Sequence, residues 1–244
     1  MAEYAILSDI HGNFYALEAI VKDMCSYEIS GVILLGDLID YGMQSNEVVK
    51  FLRDDFKHII LCNIWGNHER AIMLGDFQRF SSQRGVESAK YTANLLTEQT
   101  RNYLNDMMCH MGSYEFYLDE LKCLAVHGSM EDVYWQSVFP ENVHGDYRKY
   151  DMVFSGHSHY PHIFTKFYDV EDDADMRNKH AVIFLNPGSV GQPRNHNPYA
   201  QYMIFNSQYK NVAVRSVAYD VEKAMKLFDG SVDIFYRDRL KKGV

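Results

Sequence analysis

The chain has 244 residues, of which 47% are hydrophobic and 23% charged, and its formal net charge is −9; this is the composition of an ordinary globular protein of one large domain or two small ones. No apolar run approaches the ~20 residues of a bilayer span and the N-terminus lacks the features of a signal peptide, so we expect a cytoplasmic protein with no membrane partner. The negative charge disfavours long nucleic acids as partners, because binding to their backbone depends on clustered Lys and Arg.

Strand and helix patterns alternate in the first third of the chain. Strands are predicted at 4–7, 31–35 and 58–62, with helices at about 13–25 and 46–54 between them. Strands that are separated by helical crossovers indicate a parallel sheet. In such sheets ligands bind beyond the carboxyl ends of the strands, which is where the sequence places its first polar motifs.

Burial and capping in this part follow from spacing and residue type. Ser45 is expected to cap the second helix, since its hydroxyl can accept an N–H of the first turn. The four cysteines show no CxxC spacing and three of them, Cys25, Cys62 and Cys123, lie in apolar runs, so we expect reduced and mostly buried thiols. Helical spacing predicts these inward positions: Phe14, Leu17, Val21, Met24, Val48, Val49 and Leu52.

After the first third of the chain, the predicted elements are first helices and then mainly strands. The segment at about 69–111 has helical periodicity and is expected to form helices beside the site. Residues 171–179, "EDDADMRNK", are predicted as a charged hairpin tip or mobile loop. No linker composition marks a boundary, so we expect a single domain over 1–244. Strands are predicted at 122–128, 151–157, 163–170, 181–186, 200–206 and 212–219, and short helices at about 220–228 and 232–241.

Five short polar motifs, "SDIHGN", "GDLID", "GNHE", "VHGS" and "GHSH", each follow a strand-like run. In the first and last, two ligand-type residues stand two apart, a spacing that directs both side chains to the same side of an extended chain. Carboxylate, amide and imidazole groups together suit Mn, Fe, Zn or a mixed pair, and one ion does not need so many donors. The donors are Asp9, His11, Asp37, Asn67, His68, His127, His157 and His159.

In this order the motifs resemble those of the calcineurin-like metallophosphoesterase superfamily: D-x-H, G-D-x-x-D, G-N-H-[ED], H and G-H-x-H. The match spans residues 9 to 159. The stretch "LNPGSVGQPR" and the ending "YDVEKAMKLF…RL" are similar to the small bacterial and archaeal branch of the family. The resemblance implies an α/β fold, a two-sheet β-sandwich flanked by helices, and a metal-dependent phosphoesterase that acts on a small phosphorylated substrate.

The resemblance also implies two divalent metal ions (Mn, Fe or Zn) and a role for each motif residue. Asp37 would bridge the ions, and a bridging hydroxide would attack phosphorus. His68 would be the catalytic acid, and Asp40 the carboxylate that orients it. Carried over position by position, the remaining ligands are Asp9, His11 and His159 for the first metal and Asn67, His127 and His157 for the second.

Three residues are candidates for substrate binding. Arg194 and Arg70 either meet a substrate phosphate or pair with an acidic neighbour. Tyr41 stands where protein serine/threonine phosphatases and their diadenosine-tetraphosphatase relatives usually carry Arg, which disfavours a protein phosphatase, and it either stacks on a ring or packs internally. Phosphate monoesters, diesters and dinucleoside polyphosphates stay open as substrates. The rival from another class is a non-catalytic binding module on the same fold; the sequence gives no indication of the oligomeric state.

Overall fold

Two five-stranded sheets pack face to face, with helices on their outer faces, in a computed structural model that describes residues 2–171 and 177–244. This arrangement confirms the expected α/β sandwich flanked by helices. The strands are β1 (Glu3–Leu7), β2 (Ile29–Leu34), β3 (Ile60–Asn63), β4 (Ser113–Leu118), β5 (Leu121–Val126), β6 (Met152–Ser155), β7 (Pro161–Asp169), β8 (Lys179–Pro187), β9 (Ala200–Asn206) and β10 (Asn211–Val217). The helices are α1 (Phe14–Met24), α2 (Ser45–Asp54), α3 (Asn67–Leu74), α4 (Gln83–Leu95), α5 (Glu98–Asp106), α6 (Val221–Met225) and α7 (Ile234–Lys242).

Each sheet has a parallel centre and antiparallel additions. The first sheet has the order β10-β9-β1-β2-β3, in which β1, β2 and β3 are parallel as the sequence predicts. The second has the order β4-β5-β6-β8-β7, in which β5, β6 and β8 are parallel. The carboxyl ends of parallel strands meet at one edge of a sheet, so each sheet offers one rim where loops can bring polar groups together.

The core explains why the central strands consist almost entirely of apolar residues. Along β1, Tyr4 and Ile6 point into the space between the sheets, whereas Ala5 and Leu7 point towards the helices. Strands that are covered on both faces need apolar residues at every position. The contact of Phe154 on β6 with Phe205 on β9 links the two sheets across their shared core.

The structure corrects three predictions. Ser45 does not cap α2: it is the first residue of the helix, and its Oγ accepts the Asp40 N–H at 3.0 Å. Cys25 is exposed, because it follows the last buried turn of α1, whereas Cys62 and Cys123 are buried as expected. Strand β4 was not predicted; its exposed and half-buried residues give little hydrophobic pattern, and its pairing with β5 decides its conformation.

The remaining helical and strand predictions agree with the structure within a few residues. The segment at about 69–111 contains most of α3 and all of α4 and α5. Strands β7 and β8 pair in antiparallel fashion on either side of the predicted charged tip, of which 172–176 lie outside the described residues. Within the described ranges, no helix is long and apolar enough to cross a membrane.

Candidate metal centre

Polar side chains from both sheets meet at one rim, where five strands end. All of these side chains are buried except His157, which is half-buried. The residues that follow β1, β2, β3, β5 and β6 at this rim are Asp9, His11, Asp37, Asn67, His127, His157 and His159. Residues separated by up to 150 positions in the sequence thus form one cluster, as the motif spacing predicts.

The backbone at these strand ends is left-handed, which is uncommon for residues other than glycine. Twelve described non-glycine residues have positive φ, and seven of them belong to this rim, with φ between 48° and 74°. Such strain costs about 1–3 kcal/mol per residue and collects at functional sites, where the surrounding packing enforces it. The seven residues are Asp9, His11, Asp37, Asp40, Tyr41, His157 and His159.

In the first group of candidate metal ligands, Asp9, His11 and His159, the lone pairs of acceptor atoms face each other. The Nδ1 atoms of His11 and His159 lie 3.2 and 2.6 Å from the carbonyl oxygens of Ile39 and Gln192. Because a carbonyl oxygen only accepts, both Nδ1 atoms carry the proton and both Nε2 atoms of the neutral rings are acceptors. These Nε2 atoms are 3.2 Å apart, and the Oδ1 atom of Asp9, 3.1 Å from His159 Nε2, has no hydrogen-bond partner.

The second group repeats this arrangement with the two ring nitrogens of one histidine exchanged. His127 donates from Nδ1 to the Leu35 carbonyl at 2.7 Å, whereas His157 donates from Nε2 to the Trp135 carbonyl at 3.1 Å. Their other nitrogens lie 3.0 and 2.9 Å from the Oδ1 atom of Asn67. When both rings are neutral, three acceptors again face one another. Burial disfavours the charged form of His127, but Asp37 outweighs it and raises the pKa of His127 to about 9, so a proton on its Nε2 can stand in for a cation at this group.

Asp37 lies between the two groups. Its Oδ2 atom is 3.3 Å from His127 Nε2 and 3.7 Å from His11 Nε2, and its Oδ1 atom accepts the His68 N–H at 2.9 Å. Glu69 holds this loop in place, because its carboxylate accepts the N–H groups of Asp37 and Gly66 at 2.8 Å each. Glu69 is the fourth residue of the "GNHE" motif, but the sequence reasoning assigned it no role.

His68 is oriented by a buried carboxylate. Its Nδ1 atom lies 2.7 Å from Asp40 Oδ2, while the other oxygen of Asp40 accepts the hydroxyls of Ser88 at 2.7 Å and Thr92 at 2.8 Å. This leaves His68 Nε2 facing the cluster, 4.0 Å from Asp37 Oδ2. Ser88 and Thr92 are one helical turn apart on α4, a spacing that the sequence shows but that is too common to mark a site.

The charges of the cluster shift its pKa values in opposite directions. Burial and the nearby Arg194 lower the pKa of His159 to about 3, so this ring is neutral. Burial lowers the pKa of His68, but Asp37 and Asp40 outweigh it and raise the pKa above its usual value. Burial also disfavours ionised Asp37, yet His127 and His68 hold the pKa of that carboxyl below its usual range.

The cluster opens into a cleft of about 360 Å³. The sequence candidates Tyr41 and Arg194 line this cleft. Arg70 does not; its guanidinium lies 5.0 Å from the ring centre of Tyr134 in a neighbouring depression, which argues against contact with a substrate at the cluster. Tyr41 packs against Tyr236 at 4.2 Å between ring centres, so the packing alternative describes its position.

Four residues that line the cleft were not predicted from the sequence: Ser81 and three with larger side chains, Arg79, Phe80 and Trp135. Arg79 pairs with Asp132 at 2.5 Å, and the rings of Phe80 and Trp135 meet edge to face at 5.4 Å. All three belong to connections between regular elements, where no periodicity predicts which side chains turn inwards.

The chemistry of the donors fits divalent cations. Facing acceptors at 2.9–3.3 Å repel each other unless positive charge lies between them, and buried charge needs a partner. Imidazole, carboxylate and amide oxygen suit Mn, Fe or Zn. Three overlapping groups can each hold an ion: Asp9 with His11 and His159; His11 with Asp37 and His68; and Asp37 with His127 and His157.

The fold and this cluster define a phosphoesterase of the calcineurin-like type. A model of the calcineurin-like phosphoesterase superfamily domain matches residues 3–210. The chain therefore belongs to the calcineurin-like phosphoesterase superfamily, as its motifs indicated. Membership supports a hydrolase of phosphoester bonds that depends on divalent metal.

Relatives extend over nearly the whole chain. An uncharacterized protein of Methanocaldococcus jannaschii is 27% identical over 223 residues, which cover 90% of this chain and 89% of that protein. The crystal structure of a metallophosphoesterase from Sphaerobacter thermophilus is similar with a TM-score of 0.75 and 24% identity, over 99% of this chain and 100% of the other. The crystal structure of a hypothetical protein from Pyrococcus horikoshii is similar with a TM-score of 0.77 and 19% identity, over 100% of this chain and 99% of the other. At these identities the two structures support the fold alone.

Proposed function

We propose that the protein hydrolyses small phosphate monoesters or diesters with two divalent cations bound at the rim. Asp9, His11 and His159 would hold one ion, and Asp37 would lie between the two. The second ion would be held by Asn67, His127 and His157. The observation that carries this proposal is the convergence of buried carboxylate, amide and imidazole groups in two adjoining sets, in the first of which the acceptors face each other with no hydrogen donor among the described residues.

The cations would supply positive charge to the phosphoryl oxygens and lower the pKa of water. The protein's own contribution is the placement of a proton donor. Since Asp40 fixes Nδ1 of His68, Nε2 faces the cleft and can donate a proton to the departing alkoxide. Asp40 also stabilises the protonated ring, as carboxylates behind catalytic histidines do.

The cleft favours a small substrate. A cavity of about 360 Å³ holds a phosphoryl group and a leaving group of modest size. The edge-to-face pair of Phe80 and Trp135 forms an apolar wall beside the charged cluster. The net charge of −9 disfavours a long nucleic acid.

The test is a substrate panel with metal-loaded protein. The protein is reconstituted with Mn²⁺, and turnover of p-nitrophenyl phosphate, bis-p-nitrophenyl phosphate and diadenosine tetraphosphate is compared. Asp37→Asn is the matched control, and we expect it to lose both bound metal and activity while keeping its fold. Metal-replete protein that is inert towards every ester would contradict the proposal and favour the binding-module alternative.

A further inference from the structure

One side of the cleft carries positive charge that the protein itself does not neutralise. Arg194 lines the cleft, and its Nε atom is buried without a hydrogen-bond partner. No carboxylate among the described residues pairs with it. Arg79, which also lines the cleft, differs, because its guanidinium already pairs with Asp132 at 2.5 Å.

Two more arginines are connected to the cleft through packed aromatic rings. The guanidinium carbons of Arg84 and Arg239 lie 3.9 and 4.9 Å from the ring centre of Phe235. That ring contacts Tyr236, which stacks on the cleft residue Tyr41. Arg239 donates through Nε to the carbonyl oxygen of Val244, and within the described parts of the chain neither guanidinium pairs with an Asp or Glu side chain.

The charges of these arginines are close enough to repel one another. Burial is the main reason that the pKa of Arg239 is lowered to about 10, and the charges of Arg194 and Arg84 lower it further. In a protein with a net charge of −9, arginines that pair with no Asp or Glu side chain among the described residues raise the local potential and attract an anion. Arg79, the other arginine of the cleft, has a carboxylate partner of this kind in Asp132.

We propose that Arg194, supported by the positive charges of Arg84 and Arg239, binds a second phosphate group of the substrate. This inference rests on the proposed function, since the first phosphate would be the one cleaved at the metal centre. Arg suits the task because its planar fork of N–H donors matches phosphate oxygens. The enzyme would then prefer small esters that carry two or more phosphates over esters that carry one.

Two measurements test the arginine cluster, of which one needs neither metal nor activity. In the first, calorimetry follows the binding of inorganic pyrophosphate to metal-free protein after the chelator has been removed. We expect Arg194→Gln to weaken binding by about tenfold, the effect of losing a charged contact to phosphate. Arg84→Gln, at an exposed position that tolerates substitution, should weaken it by a smaller factor, and Arg148→Gln is the control, because this exposed arginine lies outside the cleft and pairs with Asp146.

In the second, kcat/KM of Mn²⁺-loaded protein is measured for adenosine 3′,5′-bisphosphate and for adenosine 5′-monophosphate. We expect a ratio well above one in the unchanged protein, a ratio about tenfold lower in Arg194→Gln, and an unaltered ratio in Arg148→Gln. Equal ratios and equal pyrophosphate binding in all variants would overturn the anion subsite while leaving the phosphoesterase proposal intact. If Arg194→Gln binds pyrophosphate more weakly but the unchanged protein turns over no ester, the anion subsite is supported and the proposed phosphoesterase function is overturned.

Discussion

The pair of His68 and Asp40 offers the sharpest test of how the site works. His68→Ala removes the proposed proton donor but none of the seven proposed metal ligands, so we expect kcat to fall by about 10²- to 10⁴-fold with metal content retained. Asp40→Asn removes the negative charge from the acceptor of a buried hydrogen bond of 2.7 Å to the ring. A charged hydrogen bond contributes about 1.5–3 kcal/mol, which predicts a fall in kcat of roughly 10- to 150-fold.

The double variant distinguishes an indirect role from an independent one. If Asp40 acts only through His68, then Asp40→Asn has no effect on kcat once His68 is alanine, and the two changes are far from additive. Metal content by elemental analysis and thermal unfolding are the controls, since Asp40 also accepts hydrogen bonds from Ser88 and Thr92. Additive losses in kcat would refute the orienting role.

The same variants decide whether His68 is a ligand instead of an acid. Geometry alone permits an ion held by His11, Asp37 and His68. Loss of one equivalent of metal in His68→Ala would therefore refute the role of His68 as the catalytic acid. The pH profile gives a second readout: burial lowers the pKa of His68 and the two carboxylates raise it, so Asp40→Asn should lower it. Activity that needs protonated His68 would then decline at a lower pH than in the unchanged protein, and an unmoved alkaline limb would contradict this reasoning.

Three further predictions concern the loop, the helix and the thiols. A Cβ at Gly66 would collide with Asp37 Oδ1, so Gly66→Ala should abolish the rise in melting temperature on adding Mn²⁺. Gly75→Ala is the control: its φ of +68° strains the helix end and lowers the starting melting temperature, but its Cβ meets no described atom within 4 Å, so the rise on adding Mn²⁺ should remain. Asp23 accepts hydrogen bonds from Arg215 and Tyr202, so Asp23→Asn should destabilise the protein by about 1 kcal/mol at pH 7. The bond from Arg215 lowers the pKa of Asp23, so this difference should vanish as the pH falls below about 4. Of three thiols, Cys25 should react with 5,5′-dithiobis-(2-nitrobenzoate) in the native state, whereas Cys62 and Cys123 should react on unfolding only; burial raises the pKa of both, that of Cys123 to about 12.

The sequence predicted most of the sheet and the whole donor cluster, because both depend on local patterns. Apolar runs that end in Asp, His or Asn mark strand ends, and in β1, β2 and β3 these ends share one rim by the geometry of a parallel sheet. The meeting of His127 with Asp37 required the packing of the second sheet on the first, which the family resemblance supplied and periodicity alone did not. Strand β4 escaped notice because half of its surface stays exposed, and Cys25 was misjudged because an apolar run continued one residue beyond the buried part of α1.

The walls of the cleft lie beyond what local patterns can predict. Arg79, Phe80 and Trp135 occupy connections whose path depends on contacts between distant segments, such as the ion pair from Arg79 to Asp132. Among the described residues no carboxylate pairs with Arg194; this too is a property of its surroundings, and no sequence feature distinguishes Arg194 from a paired surface arginine.

Left-handed strand ends, facing acceptors and unpaired arginines share a physical consequence. Each raises the free energy of the folded chain by itself. Cations among the acceptors and phosphate beside Arg194 would remove the charge repulsion, and their binding would offset the cost of the left-handed backbone. A ligand that binds the folded state alone stabilises it by RT ln(1 + [L]/Kd), so the strain held at the rim is coupled to ligand binding. The rest of the sandwich has a continuous apolar core between its sheets, which can offset that strain and keep the donors in place. The molecule thus combines a well-packed sandwich with a strained, charged rim. Because that rim lowers the stability of the chain, we infer that it is selected for binding.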